Sequence, residues 1–140
     1  MAVSGAALLV ATLDGLEDGT LIARPQSQDG ITLAPRIDVD DARIDWSAPA
    51  DVVDRLIRAS TPSPGGWTTL RGARLRLGPV DGTEVTDLAP GELRAGKREV
   101  FVGTGSAAVR LDVVIAEGKR PMAAADWARG LRLEPGEAFA

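Results

Sequence analysis

Cysteine and histidine are both absent from the 140 residues, and these absences exclude more chemistry than any residue present suggests. Without cysteine there can be no disulfide, thiolate nucleophile or sulfur-based zinc site. Without histidine the usual general base near neutral pH and the commonest transition-metal ligand are missing. Asparagine and tyrosine are lacking too, and aromatic residues make up only 4% of the chain. Catalysis would have to rest on carboxylates, lysine or hydroxyls, so binding functions come first. No apolar run reaches the ~20 residues a membrane span needs. The most apolar stretch, Ala2 to Leu13, has no charged residue before it and is interrupted by Gly5, Thr12 and Asp14. Neither an anchor nor a signal peptide is expected there.

What is present is a core built from Val, Leu and Ala, with 44% hydrophobic residues, enough for one ordinary domain and a short appendage. The net charge of −4, from 16 basic and 20 acidic side chains, argues against a conventional nucleic-acid protein. The charge is unevenly placed, however. Residues 1–35 set Asp14, Glu17, Asp18 and Asp29 against Arg24 alone, whereas 92–120 set six bases against four acids. A basic face can therefore exist in an acidic chain.

Ala6, Leu9, Val10 and Leu13 fall on one stripe and predict an opening helix that stops at Gly15, followed by a short extended piece at Thr20 to Ala23. Alone, that helix would expose its apolar stripe, so it is expected to belong with something upstream. Arg24 to Pro35 is polar, with Gly and two prolines, and reads as a surface linker. Ser47-Ala48-Pro49 signals a second helix capped by Ser47, with Val52, Val53, Leu56 and Ile57 as its buried stripe. It must end before Thr61-Pro62-Ser63-Pro64-Gly65-Gly66.

From Trp67 the texture becomes short alternating runs: WTTL, ARLRLGPV, GELRA, EVFVG and AVRLDVVIA. A hairpin is expected around Arg71-Gly72 and another around Gly96-Lys97-Arg98. In Arg74-Leu75-Arg76-Leu77 the alternation sends leucines inward and arginines outward. The fold class read from this pattern is mostly β with flanking helices, its five strands closing into an OB-fold-like barrel. A last helix is predicted from Met122 to Arg129, stopped by Gly130, and the tail LEPGEAFA reads as irregular.

The run Ala42-Arg43-Ile44-Asp45-Trp46-Ser47, then Ile57-Arg58-Ala59, then Pro62-x-Pro64-Gly65-x-Trp67, resembles the C-terminal domain of the formyltransferase family. That domain is shared by enzymes acting on methionyl-tRNA, on folate and on aminoarabinose nucleotides. Gly118-Lys119-Arg120-Pro121-Met122, with Asp126 beyond it, looks like the methionyl-tRNA formyltransferase branch. The resemblance implies that residues 1–24 are the end of a catalytic N-terminal Rossmann-like domain, 25–41 the linker and 42–140 an OB-like tRNA-binding domain. It further implies initiator Met-tRNA and the chain's own catalytic domain as partners, translation initiation as the process and the cytoplasm as the location. The formyl donor, 10-formyltetrahydrofolate, would be used by the upstream domain, whose catalytic Asn, His and Asp lie outside this chain. Met1 is then expected to be an artificial start or an internal boundary. No metal, membrane or cofactor is expected in this piece, and it should not be catalytic by itself. The rival reading is the C-terminal domain of a small-molecule formyltransferase acting on a sugar nucleotide or folate.

Candidate tRNA-binding residues are Lys119 and Arg120, placed before the last helix where its amides could join them at a phosphate. Lys97 and Arg98 in a turn, Arg74 and Arg76 on one strand face, and Arg36 at the linker's end complete the set. Each has a plain alternative, as a solvated turn or strand face. Trp46, Trp67 and Trp127 are expected in the core rather than stacked on bases. Arg43 and Asp45 are expected to tie the approach to the second helix by a salt bridge or cap, and Arg58 to stitch that helix to the Pro-Gly loop. Gly103-x-Gly105-x-x-Ala108 approximates a dinucleotide fingerprint but lies between two strand-like runs, so it reads as a turn. Asp38, Asp40 and Asp41 have calcium-loop spacing but lack the loop glycine and closing Glu, so they read as solvated.

Overall fold

A computed structural model describes residues 2–140, with side chains from Val3 onward. It divides into two compact units, Met1–Pro35 and Arg36–Ala140. In the first, helix α1 (Ala2–Glu17) runs through Gly15 rather than stopping there. The chain turns back at Gly19 (φ 76°), and Leu21 N–H donates to the Gly15 carbonyl at 2.8 Å. A Cβ on Gly15 would lie 2.8 Å from the Leu21 side chain, so the glycine serves close packing and not termination. Leu9, Val10 and Leu13 are exposed, and residues 20–23 form no strand, because no partner pairs with them.

The second unit holds a 3-10 turn at Asp40–Ala42, helix α2 (Ala50–Ser60), eight short strands and helix α3 (Ala124–Leu131). Strands β1 (Trp67–Leu70), β2 (Ala73–Leu77), β7 (Val113–Ala116) and β8 (Met122–Ala123) form one antiparallel sheet in the order β1-β2-β7-β8. Strands β3 (Val80–Gly82), β4 (Leu93–Ala95), β5 (Val100–Val102) and β6 (Val109–Leu111) form the other, in the order β3-β6-β5-β4.

The mostly-β class with flanking helices stands, but the five-stranded closed barrel does not. Two expected strands each bend and change sheets, ARLRLGPV becoming β2 and β3, and AVRLDVVIA becoming β6 and β7. Leu77 pairs with Val114 and Val80 with Leu111, so one register continues across the bend and sets Pro79 opposite Asp112. Proline has no amide hydrogen to donate, so the ladder breaks there. At the bend Gly78 N–H donates to the Val113 carbonyl at 2.8 Å, and a Cβ on Gly78 would come within 3.1 Å of Val113 Cβ. The carbonyl of Asp112 accepts the amide of Ala124 instead of a strand partner.

Both expected hairpins form. β1 and β2 are joined by Arg71 (φ 51°) and Gly72 (φ 77°), a two-residue loop with both φ values positive, which matches the twist of paired strands. In β2 Leu75 and Leu77 point in and Arg74 and Arg76 out.

The core gathers Val53 and Ile57 of α2, Val100, Val102, Val109 and Val114 of the strands, and Ala124, Trp127 and Ala128 of α3. Val52 of the expected stripe is exposed, while Ser60 is buried with its hydroxyl donating to the Leu56 carbonyl. Ser47 does not cap α2. Its hydroxyl and amide donate to Asp45 Oδ1, and the Ala50 amide is met by Ser106 Oγ at 3.0 Å. Met122 lies in β8, so α3 starts two residues later than expected, passes Gly130 and ends at Arg132 in the left-handed region. The tail is not idle. Phe139 is buried and stacks on Trp46 at 5.4 Å and on Trp127 at 6.0 Å.

Candidate nucleic-acid interface

Among the described residues, six arginines are ion-paired: Arg55 with Asp51, Arg58 with Asp54, Arg71 with Glu137, Arg94 with Asp87, Arg110 with Asp81 and Glu99, and Arg129 with Asp126. Pairs this exposed contribute little to stability, but they decide where free positive charge is left. On the outer face of the β3-β6-β5-β4 sheet, Asp81, Arg110, Phe101 and Arg94 are successive cross-strand neighbours. Its two arginines are neutralised, Arg110 by Asp81 and Glu99 and Arg94 by Asp87, with Arg94 also 5.7 Å from the Phe101 ring centroid. Arg58 thus pairs along its own helix and does not stitch it to the Pro-Gly loop.

The β1-β2-β7-β8 sheet is different. Arg74 and Arg76 project from β2 without a carboxylate partner, and Lys119 and Arg120 follow β7 likewise. Arg74, Arg76 and Lys119 line one groove of about 490 Å³ with the Ser63-Pro64 loop and the Glu117-Gly118 turn. Arg36 lines an adjoining depression that shares Val39, Ser63 and Pro64 with it. Four of the seven candidates therefore converge on one surface, and Arg120 directly follows Lys119. Lys97 and Arg98 occupy the β4-β5 turn instead, where Lys97 shares a separate depression with Arg129 and Arg132. Arg132 had no distinguishing signal in the sequence, because only the return of α3 beside the β4-β5 turn brings it there. Lys119 and Arg120 do not directly precede α3, so its amides are not beside them as expected. β8 intervenes, and the first amide of α3 is already bonded to Asp112.

Trp67 organises the groove. Its Nε1 donates to the Val39 carbonyl at 2.6 Å, and its carbonyl accepts the amide of Ile44 at 2.8 Å. Alternation buries Ala42, Ile44 and Trp46 and leaves Arg43 and Asp45 outside. Arg43 then lies over the Trp67 ring, 5.6 Å from its centroid, and makes no salt bridge with Asp45. Arg74 lies over the same ring at 4.2 Å. Trp46 and Trp127 are buried as expected, whereas Trp67 is only half-buried and supports cations at the surface. Asp45 accepts the Ser47 hydroxyl and amide, and those donors hold its carboxyl below the usual carboxylate range.

Both decoys resolve as backbone features. A Cβ on Gly103 would lie 2.0 Å from the Ala89 carbonyl oxygen, and one on Gly105 2.0 Å from that of Ser47. These glycines let loops touch, not nucleotides. Asp41 accepts the amide of Asp38 at 2.9 Å, and no cluster of metal-binding side chains occurs among the described residues. Among the described residues, no helix is long and apolar enough to cross a membrane.

The family model described as formyl transferase, C-terminal domain, matches residues 36–132. Curated relatives named methionyl-tRNA formyltransferase include that of Streptomyces coelicolor, 59% identical over 138 residues, covering 98% of this chain and 44% of that protein. The one from a Nocardioides species is 57% identical, covering 97% of this chain and 44% of that protein. Among solved structures, HypX from Aquifex aeolicus superposes with a TM-score of 0.68 at 22% identity, over 92% of this chain and 23% of that one. That likeness shows the fold alone. The chain spans less than half the length of the curated relatives it matches.

Proposed function

Because the chain belongs to the formyl transferase C-terminal domain family, we propose that it is the tRNA-docking part of a methionyl-tRNA formyltransferase. In this reading it holds initiator Met-tRNA while a separate catalytic domain formylates the methionine amine from 10-formyltetrahydrofolate. The reading includes a cytoplasmic location and a role in translation initiation.

The observation that supports it is the sorting of charge. Carboxylates neutralise the arginines on one sheet, while Arg74, Arg76, Lys119 and Arg120 stay unpaired on the other. Unpaired cations ranged along a groove suit a polyanion, because each phosphate neutralised releases condensed counterions. Such contacts fix orientation and carry little sequence information. The absence of His and Asn matches a division of labour in which this piece positions the substrate and another performs the transfer.

Filter binding of the chain to initiator tRNA over a salt series tests the reading. The expected result is measurable affinity at low salt that falls linearly in log–log form as salt rises, with a slope of roughly −2 to −4, since about three or four cations line the groove. No affinity at low salt would sink it. For the small-molecule rival, tight salt-insensitive binding of a sugar nucleotide would be the positive sign.

A further inference from the structure

We infer that Arg74 is a phosphate-binding group held in place by Trp67, so that the groove takes the sugar–phosphate backbone of a polynucleotide and not its bases. The inference rests on the docking reading above and gives that site its chemistry.

Three observations meet at this pair. First, the guanidinium of Arg74 lies 4.2 Å from the Trp67 ring centroid, in the range where a cation over an aromatic face is attracted. Second, the ring is itself fixed, by its Nε1 bond to Val39 and by the pairing of Trp67 with Arg76 across β1 and β2. Third, Arg74 Nε is the one buried side-chain nitrogen or oxygen among the described residues that has no hydrogen-bond partner. Buried polar groups are nearly always paired, so this donor is left unsatisfied as the side chain stands and would gain a hydrogen bond from an acceptor that moves the guanidinium. Glu117 also lines the groove but pairs with neither arginine.

The chemistry of the acceptor follows from the geometry. A planar guanidinium laid on a ring presents its N–H groups edgewise, as a fork that fits two oxygens of one phosphate. A lysine at this position would keep the charge and lose both the stacking and the fork. Nucleobases read by stacking need a bare aromatic surface. Here Arg74 already lies over the ring, with Arg43 5.6 Å from the same centroid. Trp67 is thus a positioning residue, acting through Arg74. Lys119, across the groove, supplies a second charge without a fixed direction.

The test measures binding of the chain to initiator tRNA, and to unrelated tRNA, between about 25 and 200 mM salt. R74A is expected to weaken binding about tenfold and to reduce the magnitude of the salt slope by about 0.9, equally for both RNAs. R74K should recover the slope but less than half of the lost log affinity. W67F, which keeps a flat ring but loses the Nε1 bond to Val39, should fall between the parent and W67L. W67L should reproduce most of the R74A loss and add less than twofold in an R74A background. Full rescue by R74K, or an independent W67L loss in that background, would overturn the inference, as would an unchanged slope in R74A. So would displacement of tRNA by inorganic phosphate, at matched ionic strength, well beyond its effect as a salt. If the parent chain binds no tRNA at low salt, the docking reading itself fails, a result distinct from all of these. Circular dichroism of each variant separates lost binding from lost folding, with R74K and W67F as the conservative members of each pair.

Discussion

Ser106 Oγ accepts the amide hydrogen of Ala50 at 3.0 Å, so the first turn of α2 is closed by a residue 56 positions away in the β5-β6 loop. The nearby Ser47, which the local pattern selects as the cap, is engaged with Asp45. The helix therefore depends on the sheet for its first hydrogen bond.

Replacing Ser106 with Ala should cost about 1 kcal/mol, the usual penalty for losing a cap. Replacing Ser47 with Ala should cost about 0.5 kcal/mol or less, as at an ordinary surface position. Urea unfolding of both variants checks the order, and a larger loss at Ser47 would return the cap to it.

Two glycines should respond in opposite directions. At Gly105 an added Cβ would overlap the Ser47 carbonyl, so G105A must move backbone and should cost about 3 kcal/mol or more. Gly130 lies inside α3 with open space around its Cβ position, so G130A should stabilise by about 0.5–1 kcal/mol. Thermal melts of the pair would refute this picture if both shifted the same way.

Phe139 sits between two tryptophans with 6% of its surface exposed. F139A should therefore cost about 3–5 kcal/mol, a large part of a typical domain's total stability. A melting temperature unchanged within a degree or two would mean that the tail is not part of the core.

Asp45, Asp87 and Glu137 all have carboxyl groups held below their ordinary range, by donors from Ser47, Arg94 and Arg71 respectively. A depressed folded-state value means that the stabilisation is present above the unfolded-state value, near 4, and is lost as pH falls through the folded one. Stability should be flat from about pH 8 to 5, since no histidine titrates there, and should decline below about pH 4. E137Q should flatten part of that acid limb. A step in stability near pH 6.5 would contradict the assignment.

Charge removal should separate the two basic regions. K119A/R120A, which removes the groove's Lys119 and the cation next to it in the chain, should weaken tRNA binding several-fold and lower the salt slope by up to about 2. K97A/R98A, at the β4-β5 turn, should have less effect. Equal losses would mean that the RNA covers both sheets.

Much of this was legible along the chain because the signals are local. The Arg71-Gly72 loop, the outward arginines of β2, the paired β4 and β5 and the amphipathic α2 follow from period and turn chemistry. The sheet change at Pro79 and Asp112 was not legible, because alternation continues through both bends and only the pairing across them reveals the break. The same limit hid the groove. Arg36, the Arg74–Arg76 strand and Lys119 are far apart in sequence, and alternation alone does not separate the β2 arginines from Arg94 and Arg110, whose carboxylate partners come from other segments.

The sequence alone determined what chemistry its missing residue types exclude, since residue types are fixed before folding, and it indicated most of the helices and strands, though not the loss of a strand at 20–23 or the placement of Met122 in β8. Tertiary structure decided the sheet changes, the remote cap, the placement of Phe139 and which cations remain free. Those depend on what lies opposite a residue across a ladder or a loop, and that is set only when distant segments meet.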